Sequence, residues 1–277
     1  MSMTIEQMMA GADLSQSLRE ATSGLEILPL VRNYFDTGRR PKVNIKLTPH
    51  PLDEAAGDGW FHPSTHPTWS ERALYEYIRN PEKLIGEPPA MSSTLAQDFG
   101  SMSHLYVQAA MAEMKLLPKD LQRCTVCAPE RRCTEPGFAD PTVGSRGHAD
   151  GVLALPERPR GDTLFEFKSA GEWGGKKMMT LDHLDNEGFR AAWPDYYAQA
   201  QSYLHMSGRR RSILLMVGLG FPFHMREFHI TYNRKFAAEI WAKYARVRQA
   251  LADQRPCACD CFRSERGDCA ARRLCRG

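Results

Sequence analysis

No stretch of the 277 residues approaches 18 consecutive apolar positions, which excludes a helical membrane span. The first residues, MSMTIEQMMAGADLSQSL, lack a basic start followed by an apolar block, so no secretory leader is expected. Internal repeats are absent, which excludes a solenoid or propeller. Charge of one sign is also lacking: the formal net charge is only +3, which permits a nucleic-acid partner without arguing for one. The basic runs at 39–40, 131–132, 209–211 and 272–273 have the look of solvated turns. What is present is an ordinary globular composition, 42% hydrophobic and 25% charged, enough for one large domain with attachments. With no leader, a reducing, cytoplasmic location is expected, and the eight cysteines read as thiols or metal ligands before disulfides.

Residues 1–60 form an expected N-terminal arm or helical extension, with an amphipathic helix or loose arm over 3–24. The Gly/Pro/His-rich stretch DEAAGDGWFHPSTHPTW reads as a loop. Ser70 is the expected N-cap of a helix that places Ala73, Leu74, Tyr77 and Ile78 on one face and stops at Pro81. A second helical region, TLAQDFGSMSHLYVQAAMAEMKLL, ends before Pro118. A cysteine-rich insert over 124–133 precedes two strands, GHADGVLAL and TLFEFKSA, joined by a turn-rich segment. Pro194 and Asp195 open a helix that Gly208 closes, RSILLMVGLG and HMREFHITYN are further strands, and RKFAAEIWAKYARVRQALADQ is a final helix. The main domain therefore spans 61–256, followed by a cysteine-rich segment over 257–277. The order of elements predicts a mixed α/β core.

The two strands before the middle helix carry misplaced-looking charges, Asp150 on the first and Glu166 with Lys168 on the second. Residues two apart on a strand share a face, so Phe165 and Phe167 enter the core and Glu166 and Lys168 face water, a partner or a metal. If the strands pair, Asp150 lies beside Glu166, and two adjacent carboxylates repel unless a cation sits between them. Oxygen ligands of this kind suit Mg²⁺ or Mn²⁺, and Lys168 is placed to assist a water nucleophile or steady phosphate charge. A surface salt bridge between Glu166 and Lys168 is the alternative, and these residues alone leave both readings open.

Four segments in order resemble the PD-(D/E)XK nuclease superfamily, in particular RecB-type, CRISPR-adaptation and phage-type exonucleases. Gly147 to Asp150 is similar to their Gly-x-x-Asp strand, and Glu166-Phe167-Lys168 to their Glu-x-Lys strand. Gly100 to His104 resembles the upstream Gly-x-x-x-His helix, and Gln199 to Tyr203 the downstream Gln-x-x-x-Tyr helix. SERALYEYIRNP is similar to the opening helix of such domains, and Ala149 stands where the superfamily's name expects proline. The resemblance implies a restriction-endonuclease-like core, a mixed central β-sheet flanked by helices, in a bacterial or phage-infected cell. It implies a metal-dependent deoxyribonuclease, an exonuclease before an endonuclease, serving DNA recombination, repair or phage DNA processing. Asp150, Glu166 and Lys168 would be catalytic, and Mg²⁺ or Mn²⁺ would be held by His104, Asp150, Glu166 and the Phe167 carbonyl. Gln199 and Tyr203 would position the DNA strand, with Arg209–Arg211, Lys176 and Lys177 as candidate phosphate contacts. A recombination or helicase protein is an expected partner. A catalytically silent, zinc-containing DNA-binding protein is the alternative from another class.

Cys124-x2-Cys127-x5-Cys133 has the tight pair of structural metal sites, and the tail adds Cys257, Cys259, Cys261, Cys269 and Cys275. The expectation is that the first three meet a tail cysteine around one metal centre, zinc or iron–sulfur. RecB-type relatives carry a [4Fe–4S] cluster on a Cys-x2-Cys-x5-Cys trio near their end, whereas here that spacing lies upstream of Asp150.

Overall fold

The structure is a computed structural model that describes residues 25–43, 58–81, 91–127, 133–158, 160–171, 186–219 and 224–258. The helix expected over 3–24, the lysines 176 and 177, and Cys259, Cys261, Cys269 and Cys275 lie outside the described residues.

Four strands form the central sheet: β3 (Gly151–Leu153), β4 (Thr163–Ala170), β5 (Arg211–Gly218) and β6 (His224–Thr231). Their spatial order is β3-β4-β5-β6, with β4 and β5 parallel and the two outer pairs antiparallel. The sheet is therefore mixed. The parallel step from β4 to β5 needs a crossover, which α4 (Asn186–Ala192) and α5 (Pro194–Ser207) supply. A separate antiparallel ribbon, β1 (Gly137–Asp140) and β2 (Ser145–His148), precedes the sheet. The single strand expected through Ala149 and Asp150 is thus two: its first half pairs with β1 and its second half with β4. The break falls where Asp150 turns its groups to the site described below. β1 was not anticipated.

Helices cover both faces. On one face, α1 (Leu28–Asp36) and α3 (Met91–Glu113) set Leu28, Val31, Val107 and Met111 against Phe165, Phe167, Ile213, Leu215 and Val217. On the other, α4 and α5 set Phe189, Tyr197, Ala200, Tyr203 and Leu204 against Leu164, Leu214, Met216, Phe228 and Ile230. The alternation follows from the two-residue period of a strand, and burial on both sides explains why β5 reads as a continuous apolar run. A third cluster joins α2 (Glu71–Arg79) to α6 (Arg234–Ala252) through Leu74, Ile240, Trp241, Tyr244 and Phe61.

The helix boundaries have local causes. Ser70 Oγ accepts from the Ala73 N–H at 3.2 Å, as the sequence predicts, and Asn233 Oδ1 caps α6 through the Phe236 N–H at 3.0 Å. Pro194 occupies the first turn of α5, where a missing N–H costs nothing, and Gly208 closes it. α3 ends with the Leu116 N–H bonded to the Met111 carbonyl, a closure that puts Lys115 at φ +62°.

α1 lies inside the stretch expected to be an arm, yet it packs into the first core cluster. A buried acid on β6 holds it there. Glu227 accepts the backbone N–H groups of Glu26, Ile27 and Leu28 at 2.9, 3.0 and 2.6 Å, which satisfies the donors left open at the start of a helix. Glu227→Ala is expected to lower unfolding stability by about 3 kcal/mol, since it strands buried N–H groups. Urea titration checks this: the midpoint should fall while the slope holds.

Candidate metal-dependent active site

β4 sends Glu166 and Lys168 to the α5 side of the sheet, between Leu164 and Ala170. Of water, a partner or a metal, open water is not what this face meets, because α5 covers it and leaves Glu166 1% exposed. Lys168 Nζ lies 3.2 Å from Glu166 Oε2, and Gln199 Nε2 donates to the same oxygen at 3.1 Å. The other oxygen, Oε1, is buried with no hydrogen-bond partner among the described residues.

Gly151 pairs with Phe165, so Asp150, one residue earlier, stands opposite Glu166. Asp150 is held at three atoms. Its Oδ2 accepts the Phe167 N–H at 2.6 Å, its carbonyl accepts Gln108 Nε2 at 2.8 Å, and its Oδ1 lies 3.6 Å from His104 Nε2. The His104 ring stacks on Phe167 with centroids 5.4 Å apart and planes 3° from parallel, which fixes the direction of the imidazole. Its Nε2 is buried and has no hydrogen-bond partner among the described residues. Gly100 lets α3 come this close, since a Cβ there would stand 2.5 Å from Ser169 Oγ on β4.

A third carboxylate completes the group. Donor atoms of His104, Glu135 and Asp150 all lie within 4.8 Å of one another, and Gln108 Nε2 also reaches Glu135 Oε1 at 3.3 Å. Burial, and then the Asp150 charge, push the Glu135 carboxyl above its ordinary value. The same two causes raise Glu166 to about 8. Burial alone would lower Lys168, but Glu166 and Asp150 outweigh it and the net direction is up. Acid and base of the Glu166–Lys168 pair both hold their protons more tightly, which means that the pocket carries surplus negative charge. Burial and the carboxylates Glu166 and Asp150 likewise push the Tyr203 hydroxyl up.

A second group stands beside the first. Donor atoms of Cys124, Cys127, Cys133 and His148 also lie within 4.8 Å of one another. His148 Nε2 is 3.2 Å from Cys124 Sγ and 3.1 Å from Cys127 Sγ, and the Cys127 N–H donates to Cys124 Sγ at 3.3 Å. Burial opposes it, but the Val126 and Cys127 N–H groups and the His148 ring bring the Cys124 thiol down to about 6. Burial, with Cys124 and Cys127 nearby, drives Cys133 up to about 12.

No protein-family profile matches the chain, and no curated protein does. Solved structures similar to it include an alkaline exonuclease (LHK-Exo) from Laribacter hongkongensis, at TM-score 0.45 and 14% identity over 71% of this chain and 89% of that one. SSO0001 is similar at TM-score 0.44 and 16% identity over 81% and 89%. A phage-related exonuclease from Haemophilus somnus 129PT follows at TM-score 0.31 and 12% identity over 67% and 95%. The roles of individual residues rest on the geometry above.

Of the sequence candidates, His104, Asp150, Glu166, Phe167, Lys168, Gln199 and Tyr203 come together. Gln199 and Tyr203 share one face of α5, as their spacing predicts, but they are 6% and 2% exposed and lie against the carboxylates. The packing of α5 on β4 turns them inward. The Arg209–Arg211 turn does not reach the site, because Arg211 pairs with Thr163 at the opposite end of β4 from Lys168. Arg209 Nε donates to the Gly161 carbonyl at 2.6 Å, and Arg211 pairs with Glu26 at 2.6 Å, so both serve the fold. Cys257 packs on the third core cluster, and among the described residues it is His148 that stands with the three cysteines, the other tail cysteines lying outside the described residues. Glu135, Gln108 and His148 were missed. Gln108 stands one turn after His104, and a helical-face search from that histidine would have found it. Glu135 belongs to no local pattern.

Proposed function

We propose that the chain is a divalent-metal-dependent deoxyribonuclease, an exonuclease that hydrolyses phosphodiester bonds. One observation carries the reading: Glu166 Oε1 and His104 Nε2 are buried and unbonded within a group of three carboxylates and one lysine. Such atoms are costly to bury unless something binds them. Mg²⁺ or Mn²⁺ fits this oxygen-rich donor set with a single imidazole. His104, Glu135, Asp150, Glu166 and the Phe167 carbonyl would hold it. When bound, the ion would neutralise phosphate charge and make water a better nucleophile.

The chain's own groups do the rest. Gln199 and Lys168 occupy one oxygen of Glu166 and leave the other free to bind. The Phe167 N–H and the Gln108 amide fix Asp150 from two sides. Lys168 keeps its proton and would donate a hydrogen bond from Nζ to a phosphate oxygen, where negative charge builds. Gln199 and Tyr203 act through Glu166, which they pack and orient.

The test uses linear duplex DNA labelled at the 5′ or 3′ end, with Mg²⁺ or Mn²⁺, beside closed circular DNA. Loss of label from linear DNA with circles intact is the expected result. Cut circles would make the enzyme an endonuclease on the same core. No cleavage of either substrate with either ion would remove the nuclease reading.

A further inference from the structure

The geometry points to a second metal centre: we infer that Cys124, Cys127, Cys133 and His148 bind a single Zn²⁺, and that this ion anchors Glu135 and Asp150. The anchoring half rests on the nuclease reading above, whereas the zinc half stands without it.

Three observations support a single ion. The four donor atoms are within 4.8 Å of one another, and the two measured sulfur-to-nitrogen separations are 3.2 and 3.1 Å. A tetrahedral zinc with bonds of about 2.3 Å to sulfur and about 2.0 Å to nitrogen sets such atoms roughly 3.5 Å apart. An iron–sulfur cubane would spread its ligands further, because each binds a different iron. Second, the Cys127 N–H points at Cys124 Sγ at 3.3 Å, a bond that stabilises a thiolate. Third, the backbone is shaped to bring the ligands together. Cys124 bridges to Gly137, and a Cβ on Gly137 would stand 2.8 Å from Cys124 Sγ and 3.1 Å from the His148 ring. Four protein ligands close the coordination sphere, so this is a structural ion.

Its position gives it a task. The ligands tie the segment before β1 to the end of β2, and a two-stranded ribbon has little stability of its own. Cys133 precedes Glu135 by two residues, and His148 precedes Asp150 by two. Each acid is thus bound by a short tether to the same fixed point, which is how neighbouring groups hold metal ligands in place.

The experiment starts from the full chain with Cys257, Cys259, Cys261, Cys269 and Cys275 all changed to Ser, purified with both zinc and iron supplied. Elemental analysis is expected to find one zinc per chain. Iron in its place, or no metal, overturns the zinc site. In that background His148→Ala should lose the ion, and His148→Cys should keep it. With Co²⁺ in place of zinc, His148→Cys should shift the visible bands to longer wavelength, because sulfur replaces nitrogen. An unchanged spectrum means that residue 148 is not a ligand. Calorimetric Mn²⁺ titration tests the anchor. His148→Ala should weaken Mn²⁺ binding by roughly 10–100-fold, and His148→Cys should restore it. Equal Mn²⁺ affinity in His148→Ala and the parent overturns the anchoring. Asp150→Ala separates the two readings, since it should lose Mn²⁺ affinity and keep the zinc.

Discussion

Lys168→Ala is expected to lower the rate of DNA cleavage by about 10²–10⁴-fold while DNA binding survives. Among the described residues the lysine is the cation that stands with these carboxylates, and its Nζ sits on Glu166 Oε2 at 3.2 Å. Its removal leaves no ammonium group to donate to the phosphate. Asp150→Ala should fail at least as badly, because its carboxylate accepts the Phe167 N–H and would help to hold the metal. Single-turnover cleavage with Mn²⁺, beside fluorescence anisotropy of labelled DNA without metal, reads the two quantities apart. Unchanged cleavage in both variants would refute the site, whereas DNA binding with no cleavage by the wild type would favour a silent DNA-binding protein. Circular dichroism of each variant guards against simple unfolding: Glu166 can take up a proton when Lys168 is gone, so the fold should hold.

Glu135→Gln should split stability from metal affinity. Glu135 faces Asp150 in a buried pocket, and both its burial and that neighbour disfavour its charge. A carboxyl whose folded value is raised costs stability as pH climbs past its unfolded value, so at neutral pH the neutral amide should make the metal-free protein more stable. With Mn²⁺ the wild type gains more than the variant. An ion at a hundred times its dissociation constant adds about 2.7 kcal/mol, and a tenfold loss of affinity cuts that to about 1.4 kcal/mol. Thermal unfolding with and without Mn²⁺ reads both changes. A variant that melts lower without metal, or that gains as much from Mn²⁺ as the wild type, would remove Glu135 from the metal group.

Both expectations depend on residues of very different legibility. Glu166 and Lys168 were readable because a strand places alternate residues on one face, and Gln199 and Tyr203 because a helix aligns residues four apart. Ser70, Pro194 and Gly208 marked helix ends for equally local reasons. Their surroundings were not readable. The charged face of β4 was expected to meet water, a partner or a metal, and a helix covers it, because the crossover through α4 and α5 must lie against the sheet it leaves. The same packing sets Gln199 and Tyr203, expected to position the DNA strand, against Glu166.

Local order also hid the partners that come from elsewhere in the chain. Glu135 meets His104 and Asp150 only because the β1–β2 ribbon folds beside α3. His148 meets Cys124 and Cys127 because Cys124 bridges to Gly137 on that ribbon, which pairs Gly137 with His148. Neither contact has a period or a spacing to reveal it. Periodicity along the chain therefore set which residues share a face and where helices stop, since these depend on backbone geometry within a few residues. Long-range packing set which faces are buried, which acids meet and which side chain joins the three cysteines, since those depend on where separate elements come to rest.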